Sequence, residues 1–395
     1  MRLLHTSDWH IGRTFHGHST IEALRTVLSG LAALAERERV DAVLVAGDVF
    51  DSATPSAEAF GLFEEAVTSL RSTGAAVVMT SGNHDSAARL GHQARFAAAA
   101  GVHVLVRPER LDEAVVLQDE HGPVRVFGLP YLEPVLVRGV LGDPALRTHE
   151  QVLRHAMQRV RAAADGARSI VLAHCFAAGV QGTDVERDIT AGGVDLVPAS
   201  VFDGPDYVAL GHIHGRQRLS ERVRYSGAPL HYSFGERSGP RGAWLVELDA
   251  AGLAGVEWRD LPVPRRLTRL EGELEALLAD PSHAAVEQDW VSAVLTDAAR
   301  QPDAMPRLQR RFPNAVHLEH RPPAAAGAGP RTYTERMRGR SDAQVLDDFL
   351  QHVRGAGADP VEDELLRDVL AEIGRRDVDE RRAGGREVGG RRAVA

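Results

Sequence analysis

The chain has 395 residues, of which 44% are hydrophobic and 26% are charged, a composition typical of a soluble globular protein. This length allows two domains. The net charge of -9 argues against a free-standing, non-specific DNA-binding protein. Such a protein owes much of its affinity to basic residues that neutralise phosphates.

Several features favour a cytoplasmic protein. No apolar run reaches the roughly 18 residues that suggest a membrane-spanning helix. The N-terminal segment lacks the apolar core of a secretory signal. The single cysteine, Cys175, cannot form an internal disulfide, which fits a reducing compartment, and we expect it to be a small buried strand residue.

Apolar runs at the start of the chain predict strands that alternate with helices. The strands are expected at 2–7, 40–46 and 75–80, and the helices near 20–38 and 55–73. This order favours right-handed crossovers, and therefore a largely parallel sheet.

Further strands and one long helix follow. A helix is expected at 148–164, and strands at 102–106, 124–128, 169–173, 206–210, 223–226 and 242–248. This α/β pattern fits two mixed β-sheets that stack as a sandwich and are flanked by helices.

The sequence pattern changes near residue 262, which predicts a first domain at 1–262. Residues 263–322 are expected to form a small α/β domain. Its strands are predicted at about 266–270, 289–296 and 315–319, and its helices at about 271–279 and 302–310.

The last part of the chain predicts a helix pair on a linker. The Pro/Ala/Gly-rich segment 323–340 has the composition of a linker. Amphipathic helices at 341–354 and 360–374 predict a helix-loop-helix over 341–375, whose apolar positions either dock on a partner or pack on each other. The Arg/Gly/Asp/Glu-rich residues 376–395 are expected to be disordered.

Five short polar motifs each follow a predicted strand. They are Asp8-Trp9-His10, Gly47-Asp48-Val49-Phe50-Asp51, Gly82-Asn83-His84-Asp85, Ala173-His174 and Gly211-His212-Ile213-His214. Ligands of open α/β sheets bind at the carboxyl ends of the strands, so these motifs are expected to meet at one place.

The residue types in these motifs predict a pair of divalent metal ions. A carboxylate can bridge two cations, and Asp48 is the candidate bridge. One ion is expected to be held by Asp8, His10, Asp48 and His214, and the other by Asp48, Asn83, His174 and His212. Mixed imidazole, carboxylate and amide ligands suit Mn(II), Fe, Co or Zn better than Mg.

Such a pair of cations activates water and binds phosphoryl oxygens, so phosphoester hydrolysis needs no protein nucleophile. His84 is expected to stabilise the transition state or protonate the leaving oxygen, or else only to orient Asn83. Asp51 and Asp85 are expected to fix loops or ligand imidazoles. His16 either faces the substrate or is a solvated loop histidine.

With these motifs the chain resembles the calcineurin-like metallophosphoesterases. Within them it is similar to the D-type nuclease subunits of bacterial SbcCD complexes, relatives of the Mre-type repair nucleases. The segments that carry this closer resemblance are His5-Thr6-Ser7-Asp8-Trp9-His10-Ile11-Gly12, Gly47-Asp48-Val49-Phe50-Asp51, Ser81-Gly82-Asn83-His84-Asp85-Ser86, Gly128-Leu129-Pro130-Tyr131, Gly211-His212-Ile213-His214 and Tyr225-Ser226-Gly227-Ala228-Pro229.

The resemblance implies a Mn(II)-dependent 3′-to-5′ exonuclease on double-stranded DNA and an endonuclease on single strands and hairpins, acting in DNA repair, recombination and replication. It implies an SbcC-type coiled-coil ATPase as partner, in a heterotetramer built on a nuclease homodimer with contacts near 55–70 and 86–100. Residues 263–322 would be a capping domain that shapes DNA access. The segment 341–375 would dock on the partner's coiled coil, and the partner could supply the DNA-binding charge that this acidic chain lacks.

Two other functions stay open. A nucleotide or small-ester phosphodiesterase of the same fold would use the same metals, but it needs neither a capping domain nor docking helices. A scaffold subunit that tethers DNA to an ATPase would not need the complete set of metal ligands.

Overall fold

Four adjacent parallel strands form one side of a first six-stranded sheet, as the alternation of strands and helices predicts. In a computed structural model, which describes residues 1–177, 196–236, 239–323, 340–354 and 357–384, the strand order is β14-β13-β1-β4-β5-β6. The strands are β1 (Arg2–Thr6), β4 (Ala42–Ala46), β5 (Ala76–Thr80), β6 (Val102–Leu105), β13 (Gly242–Asp249) and β14 (Gly252–Asp260). Only β13 and β14 pair antiparallel with their neighbours in this sheet.

A second six-stranded sheet contains the next part of the chain, in the order β11-β12-β10-β9-β8-β7. Its strands are β7 (Val115–Asp119), β8 (Gly122–Leu129), β9 (Ser169–His174), β10 (Tyr207–Gly211), β11 (Gln217–Arg218) and β12 (Val223–Tyr225). The strands β8, β9, β10 and β12 are parallel, and the two edge strands are antiparallel to them.

The two sheets pack face to face. Alternate residues of the central strands, such as Leu3, Leu44 and Val78, contact Val126 and Leu172 of the second sheet. The opposite faces are covered by helices, so every residue of β4, β9 and β10 is buried. Strands that are buried on both faces have continuous apolar sequences, which explains why their positions can be predicted.

Three long helices cover the outer faces of the sandwich. The helices α1 (Ile21–Glu38) and α2 (Ala57–Ser72) lie on the first sheet, and α6 (His149–Ala164) lies on the second. Thr148 and Gln151 form a capping box at the start of α6. The expected sandwich of two mixed sheets flanked by helices is confirmed.

Shorter elements connect these strands and helices. A hairpin of β2 (Thr14–Phe15) and β3 (His18–Ser19) follows the first motif. The short helices are α3 (Ala87–Leu90), α4 (Ala94–Ala99) and α5 (Pro134–Val137). None of the helices in the described part of the chain is both long enough and apolar enough to cross a membrane.

The chain divides into two units, Met1–Thr268 and Arg269–Ala395. A three-stranded sheet begins at the division, with β15 (Leu267–Gly272), β16 (Trp290–Leu295) and β17 (Ala315–His320). The helices Leu274–Ala279 and Ala304–Arg311 accompany it. Leu274, Val291, Leu308 and Phe312 are among the buried residues of the second unit's own core.

Two further helices follow, Asp342–Arg354 and Pro360–Gly384. The second helix is longer than the expected 360–374, so the expectation of a disordered tail from 376 is wrong as far as residue 384. Arg, Glu and Asp dominate this stretch, and since Arg and Glu are good helix formers, a high charge does not prevent a helix. Most of the predicted linker, 324–339, and the residues 385–395 lie outside the described part of the chain.

Candidate metal centre

All five polar motifs lie at the carboxyl ends of strands in the two facing sheets. Asp8 and Asp48 follow β1 and β4, His174 ends β9, and His212 follows β10. The loops after β1 and β4 continue to pair beyond the strands, since the amide of Asp8 donates to the carbonyl of Gly47 (3.0 Å). Parallel strands present their carboxyl ends at one edge of a sheet, so the side chains converge there.

Glycines make this convergence possible. Gly47 has a positive φ of +81°, and a Cβ atom at this position would overlap the imidazole ring of His174. At Gly82 a Cβ atom would overlap the carboxylate of Asp48. The motifs therefore need glycine both for backbone conformation and for the close approach of ligand side chains.

One group of candidate ligands consists of Asp8, His10 and His214. A donor atom from each lies within 4.8 Å of the others, and all three residues are buried. The Nε2 atoms of His10 and His214 are 3.0 Å apart. Two nitrogen lone pairs that face each other at this distance repel, unless a proton or a cation lies between them.

A second group consists of Asp48, Asn83, His174 and His212. The Oδ1 atom of Asn83 is 3.1 Å from Nε2 of His174 and 3.0 Å from Nδ1 of His212. The Oδ2 atom of Asp48 is 3.4 Å from Nε2 of His174 and 3.5 Å from Nε2 of His10. Asp48 thus lies between the two groups, where a bridging carboxylate would have to be.

The charges of this buried cluster are strongly perturbed. Burial raises the pKa of Asp8 to about 6. Burial also opposes ionisation of Asp48, but the neighbouring charge of His174 holds the pKa of that carboxyl well below its usual range. Burial would lower the pKa of His174, but the charge of Asp48 raises it to about 9, whereas burial lowers the pKa of His212 to about 3.

This donor set fits divalent cations. Donor atoms of the buried carboxylates and imidazoles lie within 4.8 Å of one another. Mixed nitrogen and oxygen donors suit Mn(II), Fe, Co or Zn. Cys175 is next to His174, but it is in none of the groups of converging donor atoms among the described residues. Burial raises the pKa of its thiol to about 12.

His84 lies at the more open side of the cluster. Its backbone amide donates to Oδ1 of Asp48 (2.9 Å), and its Nδ1 lies 3.0 Å from the carbonyl of Asp51. The side chain is 33% exposed, whereas that of His10 is completely buried. One ring nitrogen of His84 lies within 4.8 Å of donor atoms of His10 and Asp48, so the imidazole borders the candidate ligands.

Asp51 and Asp85 lie beside the candidate ligands. Oδ1 of Asp51 is 3.2 Å from Nδ1 of His10. Asp85 accepts from the amides of Val49 (3.1 Å), Phe50 (2.8 Å) and Gly82 (2.9 Å), and so ties two of the motif loops together. Both placements agree with the expectation that these carboxylates fix loops or imidazoles.

His16 is exposed at the tip of the hairpin formed by β2 and β3. Its ring packs 4.8 Å from the ring of Phe15 and 5.4 Å from that of Phe234. Phe234 begins the short turn that carries Glu236, so His16 borders the site without being among the seven side chains that converge.

Glu236 is a site residue that sequence reasoning missed. It is 4% exposed, and its Oε1 atom lies 3.1 Å from Nδ1 of His214. Oε2 accepts from Arg241 (2.6 Å) and from the amide of Tyr232 (3.1 Å). A carboxylate that holds the second nitrogen of a ligand histidine fixes its tautomer and orientation.

Comparison with protein families decides the class of this protein. The model of the family described as calcineurin-like phosphoesterase matches residues 1–216, more than half of the chain. This chain belongs to the calcineurin-like phosphoesterase family. Residues 263–354 match a second family model, SbcD_C, described as the type 5 capsule protein repressor C-terminal domain.

A curated relative of this phosphoesterase is the SbcD subunit of the nuclease SbcCD of Staphylococcus epidermidis. The two are 25% identical over 376 residues, which cover 94% of this chain and 99% of the relative. The similarity therefore extends through both units.

Two solved structures are more distant. The TT1561 protein of Thermus thermophilus is 18% identical to this chain, with a TM-score of 0.37. The match covers 66% of this chain and 98% of the TT1561 chain. A dimetal phosphatase from Danio rerio is 15% identical to this chain, with a TM-score of 0.39. The match covers 66% of this chain and 99% of the phosphatase chain. Likeness at this level adds nothing to the assignment of the site.

Membership of this family and the cluster of Asp, Asn and His side chains together support binding of divalent metal ions. The seven residues expected as ligands from the motifs lie together, and Glu236 is added beside them. Nothing in the motif spacing points to Glu236, because the short strands β11 and β12 separate it from His214 and it lies in a turn without a repeating pattern.

Proposed function

We propose that this phosphoesterase is the metal-dependent nuclease subunit of an SbcCD-type complex and that it hydrolyses phosphodiester bonds of DNA. The observation that carries the proposal is the convergence of the predicted metal ligands in a chain whose similarity to an SbcD nuclease subunit spans 94% of its length. A scaffold subunit would not need such a set.

Two cations, most favourably Mn(II), would be held by these ligands. Asp8, His10, Asp48 and His214 would hold one, and Asp48, Asn83, His174 and His212 the other. When bound, such a pair of cations activates water and neutralises charge on the phosphoryl group. The position of Asp48 between the two groups of donors supports its role as the bridging ligand.

The residues of the chain itself orient the substrate and move one proton. His84 donates a proton from Nε2 to the leaving oxygen, while the carbonyl of Asp51 holds Nδ1. Its backbone amide binds Asp48, so the imidazole keeps a constant position relative to the metal ligands. His16, exposed beside Phe234, is a candidate contact to the DNA strand.

The helix pair that follows the second unit's sheet supports docking on a coiled-coil ATPase of the SbcC type. Its large apolar side chains are exposed: Phe349 by 54%, Val361 by 76%, Leu365 by 64% and Ile373 by 52%. Helices that packed only on each other would bury these residues. We therefore assign the segment 341–375 to partner docking and residues 263–322 to a capping domain that shapes DNA access.

A homodimer within a heterotetramer is proposed on the first unit. The resemblance places the dimer contacts near 55–70 and 86–100, and each of these segments exposes a phenylalanine. Phe60 is 42% exposed and Phe96 is 80% exposed. Exposed aromatic side chains are enriched at protein interfaces.

The proposed activities are 3′-to-5′ exonuclease on duplex DNA and endonuclease on single strands and hairpins. The test incubates the full chain, with and without the ATPase, with end-labelled duplex and hairpin DNA and with Mn(II), Mg(II) or a chelator. A chromogenic phosphodiester is the parallel substrate.

Mn-dependent shortening of the DNA, lost in a His84→Ser variant, is the expected result. Hydrolysis of the small diester with intact DNA, even in the presence of the ATPase, would contradict the nuclease function and favour a small-ester phosphodiesterase. DNA binding without cleavage of either substrate would indicate a tethering subunit.

A further inference from the structure

Arg13 is a cation beside the metal centre that none of the roles described above uses. It follows Ile11 and Gly12, directly before the first strand of the β2–β3 hairpin. Thr20, at the other end of the hairpin, donates its hydroxyl hydrogen bond to the carbonyl of Arg13 (2.6 Å). The hairpin therefore fixes the backbone from which the guanidinium extends.

The guanidinium shares one acceptor with two imidazoles of the site. Its NH1 donates to Oδ1 of Asp51 (3.0 Å). The same oxygen is 3.2 Å from Nδ1 of His10 and 4.0 Å from Nδ1 of His84. Arg13 is thus about two hydrogen-bond lengths from a candidate metal ligand and from the candidate acid.

The exposure of these side chains shows from which side a substrate approaches. His84 is 33% exposed, Asp51 is 30% exposed and Arg13 is 16% exposed. Asp8 and His10, by contrast, are completely buried. Arg13 consequently lies on the open side of the centre, on which the leaving oxygen of a substrate would face His84.

Most hydrogen-bonding groups of Arg13 are left for a ligand. A guanidinium has five N–H donors. Within the described ranges, Oδ1 of Asp51 is the one acceptor bonded to the guanidinium of Arg13. The cation also lies over the ring of Tyr232, 5.2 Å from its centroid, so the ring supports one face of the guanidinium. The side chain remains 16% exposed.

We propose that Arg13 binds a DNA phosphate that neighbours the scissile phosphodiester. This inference rests on the nuclease function proposed above. Successive phosphates of one strand are separated by only about 3.4 Å of rise, so a second phosphate lies close when the first is at the metals. The planar fork of an arginine side chain matches the geometry of phosphate oxygens. An ion pair with Asp51 alone would use only one of the N–H donors of Arg13.

The test compares substrates that differ by one phosphate. The full chain with Mn(II) hydrolyses a thymidine dinucleotide, which has one phosphodiester, and a trinucleotide, which has two. The variants are Arg13→Gln and Arg13→Lys. The control is Arg25→Gln, which also breaks an ion pair, between Arg25 and Glu65 (2.8 Å) on the outer helices.

For the wild-type chain, kcat/KM is expected to be higher with the trinucleotide than with the dinucleotide. Arg13→Gln should lower kcat/KM for the trinucleotide by about ten- to a hundredfold, the range for a hydrogen bond to a charged group, and lower it much less for the dinucleotide. Arg13→Lys should have a kcat/KM for the trinucleotide between those of the wild type and Arg13→Gln. Arg25→Gln should have the same kcat/KM as the wild type. Mn(II) affinity, measured by calorimetry, should change less than about threefold in both Arg13 variants.

An equal loss of kcat/KM for both substrates in Arg13→Gln, or a tenfold loss of its Mn(II) affinity, would overturn the assignment. Arg13 would then act through Asp51 and His10. A wild-type chain that gains nothing from the second phosphate would also overturn the assignment. If Arg13→Gln does not fold, the same comparison is made with Arg13→Lys. A wild-type chain that hydrolyses a chromogenic diester but no oligonucleotide would instead refute the nuclease function.

Discussion

Replacing Glu236 by Gln tests whether this buried carboxylate prepares His214 for metal binding. The amide keeps the shape of the side chain and can still accept from Nδ1 of His214, which lies 3.1 Å from Oε1. It removes the negative charge. Burial would raise the pKa of Glu236, but the hydrogen bond with His214 lowers it to about 2, so the wild-type residue is ionised at neutral pH.

The expected loss of metal affinity follows from this contact. Substituting the residue that holds a ligand histidine typically weakens metal binding by about ten- to a hundredfold, or about 1.4 to 2.7 kcal/mol. The change also removes the counter-charge of Arg241, which is 4% exposed and lies 2.6 Å from Oε2. Breaking a buried ion pair costs about 3 to 5 kcal/mol, so the melting temperature should fall as well.

Two further variants separate these effects. Arg241→Gln breaks the same ion pair but leaves the carboxylate on His214, so it should lower the melting temperature with a smaller loss of affinity. Glu257→Gln, in which the replaced side chain is 70% exposed, should change neither. Calorimetric titration with Mn(II), well below the melting temperature, gives the affinities. Unchanged affinity in a folded Glu236→Gln variant would refute the reasoning.

Four other substitutions or deletions test the site and the units. Asp48→Ala should remove metal and activity together, and two metal ions per chain by elemental analysis would contradict its bridging role. His84→Gln should leave metal bound but slow DNA cleavage by about a hundredfold or more, so a near-normal single-turnover rate would remove its role as acid. Gly47→Ala should displace His174 and destabilise the fold by about 1 to 3 kcal/mol, because the position has a φ of +81° and no space for a Cβ atom; a wild-type denaturation midpoint would contradict this. Removal of residues 324–395 should spare Mn-dependent cleavage but abolish co-purification with the ATPase, and persistent association would place docking elsewhere.

Much of the candidate centre could be predicted because its residues follow strands that are buried on both faces. Continuous apolar runs identify β1, β4, β9 and β10, and the polar residue after each run is then located at a common edge. Asp8, Asp48 and His212 are examples of this local rule. The rule applies to each strand separately and does not require knowing which other loops lie near that strand.

Residues that join the site from irregular segments escape this rule. Glu236 lies in a short turn, and Arg13 lies at the base of a two-residue-strand hairpin, so neither has a periodic pattern or a preceding apolar run. Their roles depend on contacts between segments that are distant in sequence, such as Arg13 with Tyr232 and Glu236 with His214. The helix through residue 384 escapes prediction for a different reason, because the high charge of residues 376–384 suggests disorder although Arg and Glu favour helix formation.

The burial of the innermost ligands has a kinetic consequence. Asp8 and His10 are sealed from solvent, whereas Asn83, His84 and Asp51 are partly exposed in the described part of the centre. Metal ions and nucleic acid would therefore pass through the same opening. A bound DNA end would block this opening. Exchange of the cations with solvent should therefore be slowest during a reaction cycle and fastest in the free enzyme.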